Sequence, residues 1–567
     1  MSSTLKLVRT ALIIGLMVVG YMMVLEWNKE FGQTAPASPT NAATPAFETA
    51  AAEDSPTGEL DTPVAGNRGG EVSIPSTTSG PDAPIDAPII VTTDVLRLAI
   101  DPVGGVIRRA ELLKYPVALN SSSPFPLLES SPDRLFFAQV SLLGKDGFYR
   151  KNAQPHYRVA QRQVSLADGQ SQIQVDLTHQ QDDVTLIKRF TFSRGSYEVG
   201  VEYLIRNGSG KPLTLNLAAK LVRDDSPDPG ASGRAAAVSF HGPVFSTAEK
   251  PYEKVKLSDL DDGPVKETDT GGWIAFIQHY FASALIPQTE TTHHYQAKMT
   301  QVSGGKQYLT GFVDDAVEVA PGAEQTLPVK LYLGPKVMDI LENVAPNLDL
   351  TVDYGWLWWI AKPLFLVLDF IHGLVGNWGI AIILLTVLVK AAFYKLSAAS
   401  YRSMARMRQV APELQRLREL YGDDRQKMSQ AMMELYRKQK INPLGGCLPI
   451  LVQMPVFISL YWVLLESVEL RQAPFFGWIQ DLSVMDPYFI LPLLMGGSMF
   501  VQTALNPAPP DPMQAKMMKL MPIIFTVFFL WFPAGLVLYW LTNNVLSIAQ
   551  QWMITRAIEK EGLGSKA

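Results

Sequence analysis

The chain has 567 residues, 47% of them hydrophobic and 18% charged, with a formal net charge of -5 and a single cysteine, Cys447. One cysteine excludes an intramolecular disulfide, so any exported domain must be held by core burial alone. The averages conceal a division, because the first 350 residues are polar and turn-rich whereas 355–555 are dominated by long apolar runs, so the net charge describes no single surface.

In chain order, Lys6 and Arg9 precede an apolar run from Thr10 to Leu25 that ends in Glu26 and Trp27. The absence of a small-x-small cleavage site favours an uncleaved transmembrane anchor over 10–28, with 1–9 cytoplasmic, over the alternative of a cleaved signal peptide. Residues 29–90 are rich in Ala, Pro, Ser, Thr and Gly and bury too little apolar surface to offset ordering entropy, which predicts a disordered tether. From 91 to 345 the pattern becomes alternating strands (VLRLAI, SQIQVDLTH, VTLIKRFTFS, YEVGVEYLIRN, LTLNLAAKLV) separated by turns such as LADGQ and SRGSY. That spacing predicts an all-β sandwich. No metal, nucleophile or carboxylate motif occurs in it. His293 and His294 are adjacent on a strand and therefore face opposite sides, which disfavours a shared metal.

At 354–375, Trp356, Trp359, Pro363, Leu366, Phe370 and Leu374 recur at spacings of three and four, predicting an amphipathic helix in the membrane interface. Five apolar runs follow, read as transmembrane segments at 376–396, 444–466, 487–505, 517–532 and 535–555, the last two divided at Phe532-Pro533. Between the first two, eleven Lys and Arg stand against five Asp and Glu over 395–440, whereas 467–486 holds one basic residue, Arg471. The positive-inside rule places 397–443, 506–516, 556–567 and both termini in the cytoplasm, and 467–486 and the β domain outside. Met407, Val410, Leu414, Leu417 and Tyr421, then Met428, Met432 and Leu435, predict a basic helical hairpin. Its Arg406, Arg408, Arg416 and Arg418 are candidates for contacting RNA phosphate, or serve topology alone. Its Met404, Met407, Met428 and Met432 offer flexible thioethers to apolar partners, or zip the two helices together.

One residue in the run IAIILLTVLVKAAFYKL (380–396) conflicts with lipid. Lys390 lies thirteen residues beyond Asn377, about 20 Å deep at 1.5 Å per residue. Its stem could snorkel toward the cytoplasmic edge. Lys395 already supplies an interfacial anchor, however, and Thr386 shares the face of Lys390 at i−4. A wetted, cytoplasm-facing cavity is the stronger reading. The other span residues able to hydrogen-bond include Gln453, Asn543, Asn544, Gln550 and Gln551, with no carboxylate relay of the kind a proton pump uses.

The segments INPLGGCLPILVQMPVFISLYWVL (441–464), VELRQAPFFGWIQDLSVMDPYFILPLLMG (468–496) and DPMQAKMMKLMPIIFTVFFLWFPAGLVLYWLTNN (511–544) resemble the YidC/Oxa/Alb family of membrane protein insertases, in the Gram-negative form that carries a large periplasmic domain. The resemblance implies an α-helical polytopic inner-membrane protein, an N-terminal anchor plus a five-helix core, with a supersandwich-like periplasmic domain. It implies no cofactor and no covalent chemistry. The core would form a hydrophilic groove open to the cytoplasm and closed outside, with Lys390 and Thr386 in it and Met454, Phe528 and Trp540 along the client's exit path. Implied partners are nascent membrane-protein clients, lipids, the Sec translocon with its accessory subunits, and the ribosome and signal recognition particle pathway, but not DNA. Relatives best known in this branch carry arginine where Lys390 stands and tyrosine where Trp540 stands. Lysine keeps the charge and loses the planar fork. Two other classes compete with an insertase: a solute or ion transporter using Lys390, which inverted internal repeats would favour although the sequence shows none, and a membrane-anchored carbohydrate-binding protein.

Overall fold

The computed structural model describes residues 87–567 except 151–152, 231–238, 303–304, 422–423, 440–447, 506–511 and 565–567. The expected anchor, nearly all of the tether, Cys447 and most of the 506–516 connection lie outside the described residues, as do the side chains of Arg408 and Arg418.

Residues 89–335 build two packed β-sheets, the sandwich that the alternation predicts. The larger, eleven-stranded sheet runs in lateral order through 265–269, 293–302, 305–314, 213–224, 134–143, 124–131, 106–116, 96–101, 89–92 and 163–165, with 317–319 paired to one end of 213–224. The nine-stranded sheet runs through 253–254, 242–246, 273–277, 281–286, 324–335, 198–207, 184–193, 172–181 and 158–159. Neighbouring strands are antiparallel except where Ile90–Thr92 meets Gln163–Ser165. Period-two burial explains the strands: in 184–193, residues Val184, Leu186, Phe190 and Phe192 point inward while their neighbours are half-exposed. Lys188 shares that inward face, and its ammonium donates to the carbonyls of Val140 at 2.7 Å, Gly105 at 2.8 Å and Gly104 at 3.3 Å. Strand 134–143 is buried on both faces. Phe136, Ala138, Val140 and Leu142 join the inter-sheet core, whereas Leu135, Phe137 and Leu143 join Val106, Ala218 and Val222 in a smaller cluster behind it. His293 is fully buried with Nδ1 2.6 Å from Asp314, and His294, on the opposite face, sits 2.9 Å from Asp315. Each histidine is thus committed to a different carboxylate.

Ten α-helices follow among the described residues: α1 (Met338–Val344), α2 (Trp358–Val375), α3 (Trp378–Ala392), α4 (Tyr394–Gln409), α5 (Ala411–Tyr421), α6 (Arg425–Lys438), α7 (Leu448–Glu466), α8 (Ile490–Leu505), α9 (Pro512–Phe529) and α10 (Ala534–Gly564). Gly376, in the left-handed region at φ 67°, ends α2 with its N–H on His372 O, and the Asn377 side chain caps α3 by accepting from Ile380 N at 3.0 Å. Pro533 cannot donate, so the apolar run breaks there, and Ala534 N and Gly535 N instead donate to Val484 O and Leu482 O. By length and composition, Gly355–Val375 qualifies alone as a membrane span, and α3 qualifies only jointly with α4 across a 69° bend. The stripe of Trp356, Trp359, Leu366, Phe370 and Leu374 is exposed, while Ala361, Phe365 and Leu368 on the other side pack into the protein.

Candidate functional site

Exposure in the helical core is inverted relative to a water-soluble bundle. Leu384, Val387 and Leu388 on α3, Leu493, Leu494 and Phe500 on α8, and Ile523, Ile524 and Val527 on α9 are exposed. The hydrogen-bonding side chains converge inside, where α3, α7 and α10 meet. Lys390 Nζ donates to Ser547 Oγ at 2.8 Å and to Gln453 Oε1 at 3.4 Å. Gln453 Nε2 in turn donates to Asn543 Oδ1, and Ser547 Oγ donates to Asn543 O at 2.7 Å. Further along α10, Gln550 donates to Tyr394 O at 3.3 Å and Asn544 to Ser498 Oγ at 3.1 Å. Asn543 and Ser547 are i and i+4, so one stripe of α10 presents both. The cation is held by neutral groups.

The space beside it is small. Val389, Lys390, Phe393, Ser397, Val452 and Gln453 border a cavity of about 10 Å³, room for about one water. The wetted, cytoplasm-facing cavity expected from the sequence is, among the described residues, a polar seam filled by its own side chains, because Gln453 and Ser547 reach the ammonium directly. Thr386 is 1% exposed and spends its hydroxyl on Ile382 O at 2.6 Å, one turn back in its own helix, rather than on Lys390. Ser547, which completes the seam, was legible only as a small hydroxyl four residues after Asn543.

The expected exit-path residues occupy adjoining faces. Met454 follows Gln453 on α7 and is exposed, as is Phe528 on α9. Trp540 is half-buried, with Phe457 edge-on at 4.6 Å and Phe529 at 5.4 Å, and Phe528 packs on the other side of Phe529 at 5.6 Å. An aromatic wall thus links α7, α9 and α10.

The basic segment is organised differently from a simple hairpin. Helix α4 begins immediately after the bend at Phe393 and lies against the core, burying Ala398, Tyr401 and Ala405. Helices α5 and α6 form the hairpin proper around Val410 and Tyr436, with Met407, Leu414, Met432 and Leu435 packed against them. Met407 and Met432 thus pack against the Val410–Tyr436 cluster, while Arg406 and Arg416 are exposed and Met404 and Met428 are half-buried.

At its opposite end, α7 is keyed into the β domain. Lys336 and Glu466 form a buried ion pair at 2.9 Å, His279 Nε2 lies 2.9 Å from Leu465 O, and Arg471 donates to Pro116 O at 2.7 Å. Residues 467–486 also cover this end of the core: Asn377 Nδ2 donates to Phe475 O at 3.2 Å, and a Cβ on Gly379 would collide with the Phe475 ring.

An apolar exterior, an internal polar seam with one cation and a β-sandwich fixed to one end define an integral membrane protein that joins a β domain to a helical core. Residues 88–367 match the family model described as YidC periplasmic domain, and 370–561 match that described as 60Kd inner membrane protein. The chain is 57% identical to the membrane protein insertase YidC of Hahella chejuensis, over 98% of this chain and 99% of that one, and 52% identical to that of Pseudomonas fluorescens, over 97% and 98%. A crystal structure described as active YidC insertase with its first transmembrane domain resolved aligns at 18% identity over 82% of this chain and 92% of that one, with a TM-score of 0.37. The chain belongs to the YidC family of membrane protein insertases.

Proposed function

We propose that this chain inserts nascent membrane proteins into the bacterial inner membrane, with the seam around Lys390 receiving the client's polar segment. The observation that carries this reading is a half-buried cation, Lys390, bonded only to the neutral groups of Ser547 and Gln453 among the described residues. A client carboxylate is a stronger partner for Lys390 than Ser547 or Gln453, so an acidic segment exchanges bonds rather than breaking them without replacement. The client's apolar segment then leaves along Met454, Phe528 and the Trp540 wall into lipid. Transfer of its apolar surface drives the step, assisted by the membrane potential acting on its charges.

The same reading places the basic segment and both termini in the cytoplasm and the β domain in the periplasm. Supporting it, α7 runs from the basic side to the β domain, and 467–486 touches that domain while carrying one basic residue. Arg406 and Arg416 are exposed where a ribosome would approach, and the β domain is the surface offered to the Sec translocon. Insertase action alone or together with the translocon is compatible with this layout.

Photoreactive residues at 390, 454 and 528, present during translation of a short membrane protein, test the path. The expected result is client adducts at all three. Solute flux through the purified protein in liposomes without any adduct would reject it. Lys390→Arg is expected to retain insertion, whereas Lys390→Glu lowers it on the order of tenfold, since like charges repel an acidic client. Insertion at the normal rate by the Glu variant would reject the charge mechanism.

A further inference from the structure

Between α7 and α8 the chain presents an apolar surface where a loop bathed in water would present charge. Phe476, Trp478, Met485, Tyr488 and Phe489 are all exposed, Phe476 by 59% and Tyr488 by 66%. No lysine, arginine or histidine occurs from 472 to 489. Neither of the two carboxylates there is exposed: Asp486 is fully buried, and the half-buried Asp481 accepts from Ser483 N at 2.8 Å and from Ser483 Oγ at 2.7 Å. Trp478 donates through Nε1 to Asp486 Oδ1 at 3.0 Å, so its polar edge is satisfied from within the segment.

The segment sits on the ends of three helices. Phe475 O accepts from Asn377 Nδ2 at the start of α3, Leu482 O and Val484 O accept from Gly535 N and Ala534 N at the start of α10, and Phe489 directly precedes α8. Helices α3 and α8 extend about 22–24 Å, which is about 6–8 Å less than a hydrocarbon core of about 30 Å. Just past the other end of α3 stands Lys395, an exposed cation that holds that end at the headgroups. The missing length therefore falls at the Asn377 end, where residues 475–489 lie.

A protein-docking patch has a polar rim around an apolar centre. This surface has no rim toward α8, because Tyr488 and Phe489 lead straight into the exposed Leu493 and Leu494 of the lipid-facing exterior. Tryptophan and tyrosine are also the side chains that gather at the boundary between membrane and water, with the ring in the apolar layer and the polar tip toward water. We propose that residues 475–489 lie in the boundary between hydrocarbon and headgroups, in the leaflet on the β-domain side, with phospholipid as their partner. The inference rests on the lipid-facing exterior of the helices and is independent of the client path. Seated in this way, the segment holds the β-domain end of the helical core at a fixed depth.

The test is nitroxide labelling of the full chain in phospholipid vesicles, in a Cys447→Ser background. Phe476→Cys, Met485→Cys and Tyr488→Cys are labelled one at a time, with Leu493→Cys as the lipid reference and Gln172→Cys, at an exposed site of the β domain, as the water reference. Relaxation of each label by molecular oxygen and by a water-soluble nickel chelate is measured. The expected result at 476, 485 and 488 is loss of chelate access relative to 172 with oxygen access kept, as at 493. Chelate access equal to that at 172 would overturn the proposal in favour of a water-exposed loop, and loss of access to both reagents would overturn it in favour of cover by protein. Should one labelled variant fail to fold, the other two decide by the same criteria. Chelate access at 493 as well would overturn the lipid-facing exterior on which the inference rests.

Discussion

The Lys336 ammonium and the Glu466 carboxylate meet with 1% and 3% of their side chains exposed, 130 residues apart in sequence. Burying two charges costs several kcal/mol per ion, and their attraction offsets this only while both remain. Lys336→Ala is therefore expected to destabilise the chain by about 3–5 kcal/mol, whereas Lys336→Met combined with Glu466→Leu costs far less. Thermal unfolding of the two single variants and the double variant measures the coupling, and equal losses in the single and double variants would show that the pair is not what holds the joint. Lys390 is a different case. Its partners, Ser547 and Gln453, are neutral, so removing either one leaves no opposite charge stranded.

Among the helices, α8 depends on a residue outside it. Asp486 is fully buried and accepts from Leu491 N at 2.7 Å, Tyr488 N at 3.0 Å and Trp478 Nε1 at 3.0 Å. One carboxylate thus satisfies an orphan donor of the first turn of α8 and ties the 467–486 segment to it. Asp486→Ala is expected to cost about 1–3 kcal/mol, read as earlier unfolding and as faster amide exchange at the start of α8. Unaltered exchange there would contradict the assignment. The helices α3 and α8 have 15 and 16 residues, about 22–24 Å at 1.5 Å per residue against about 30 Å of hydrocarbon.

For the molecule as a whole, the β domain is a pH-dependent body. Burial, with Lys298 nearby, pushes the Lys220 ammonium down to about 8. The unfolded chain keeps that proton up to about 10.4. Between these values unfolding takes up a proton, so the contribution of Lys220 to stability is least favourable below about pH 8 and improves as pH rises toward 10.4. Lys220→Met is therefore expected to melt above the parent at pH 7, with the difference shrinking between pH 8 and 10, followed through the β-sheet circular dichroism signal. A pH-independent difference would mean that the lysine does not change its charge. The joint at Lys336, His279 and Arg471 fixes this domain to the Glu466 end of α7, about 20 Å along the helix from Gln453.

Much of this organisation is legible in the sequence. Alternation at 172–207 determines half-buried strands because a strand has period two. The Gly376-Asn377 and Pro533 breaks determine helix ends because one residue tolerates the left-handed region, the next caps, and proline lacks a donor. A lone lysine in an apolar run determines that something polar must meet it. Which groups meet it is a different matter: Gln453 lies 63 residues away and Ser547 157, and only packing α3 against α7 and α10 brings them to the ammonium. The same holds for Lys336 with Glu466, 130 residues apart. Local pattern sets where each element begins, ends and faces, since those depend on neighbours in sequence. Partners of buried polar groups depend on neighbours in space, which the tertiary structure alone decides.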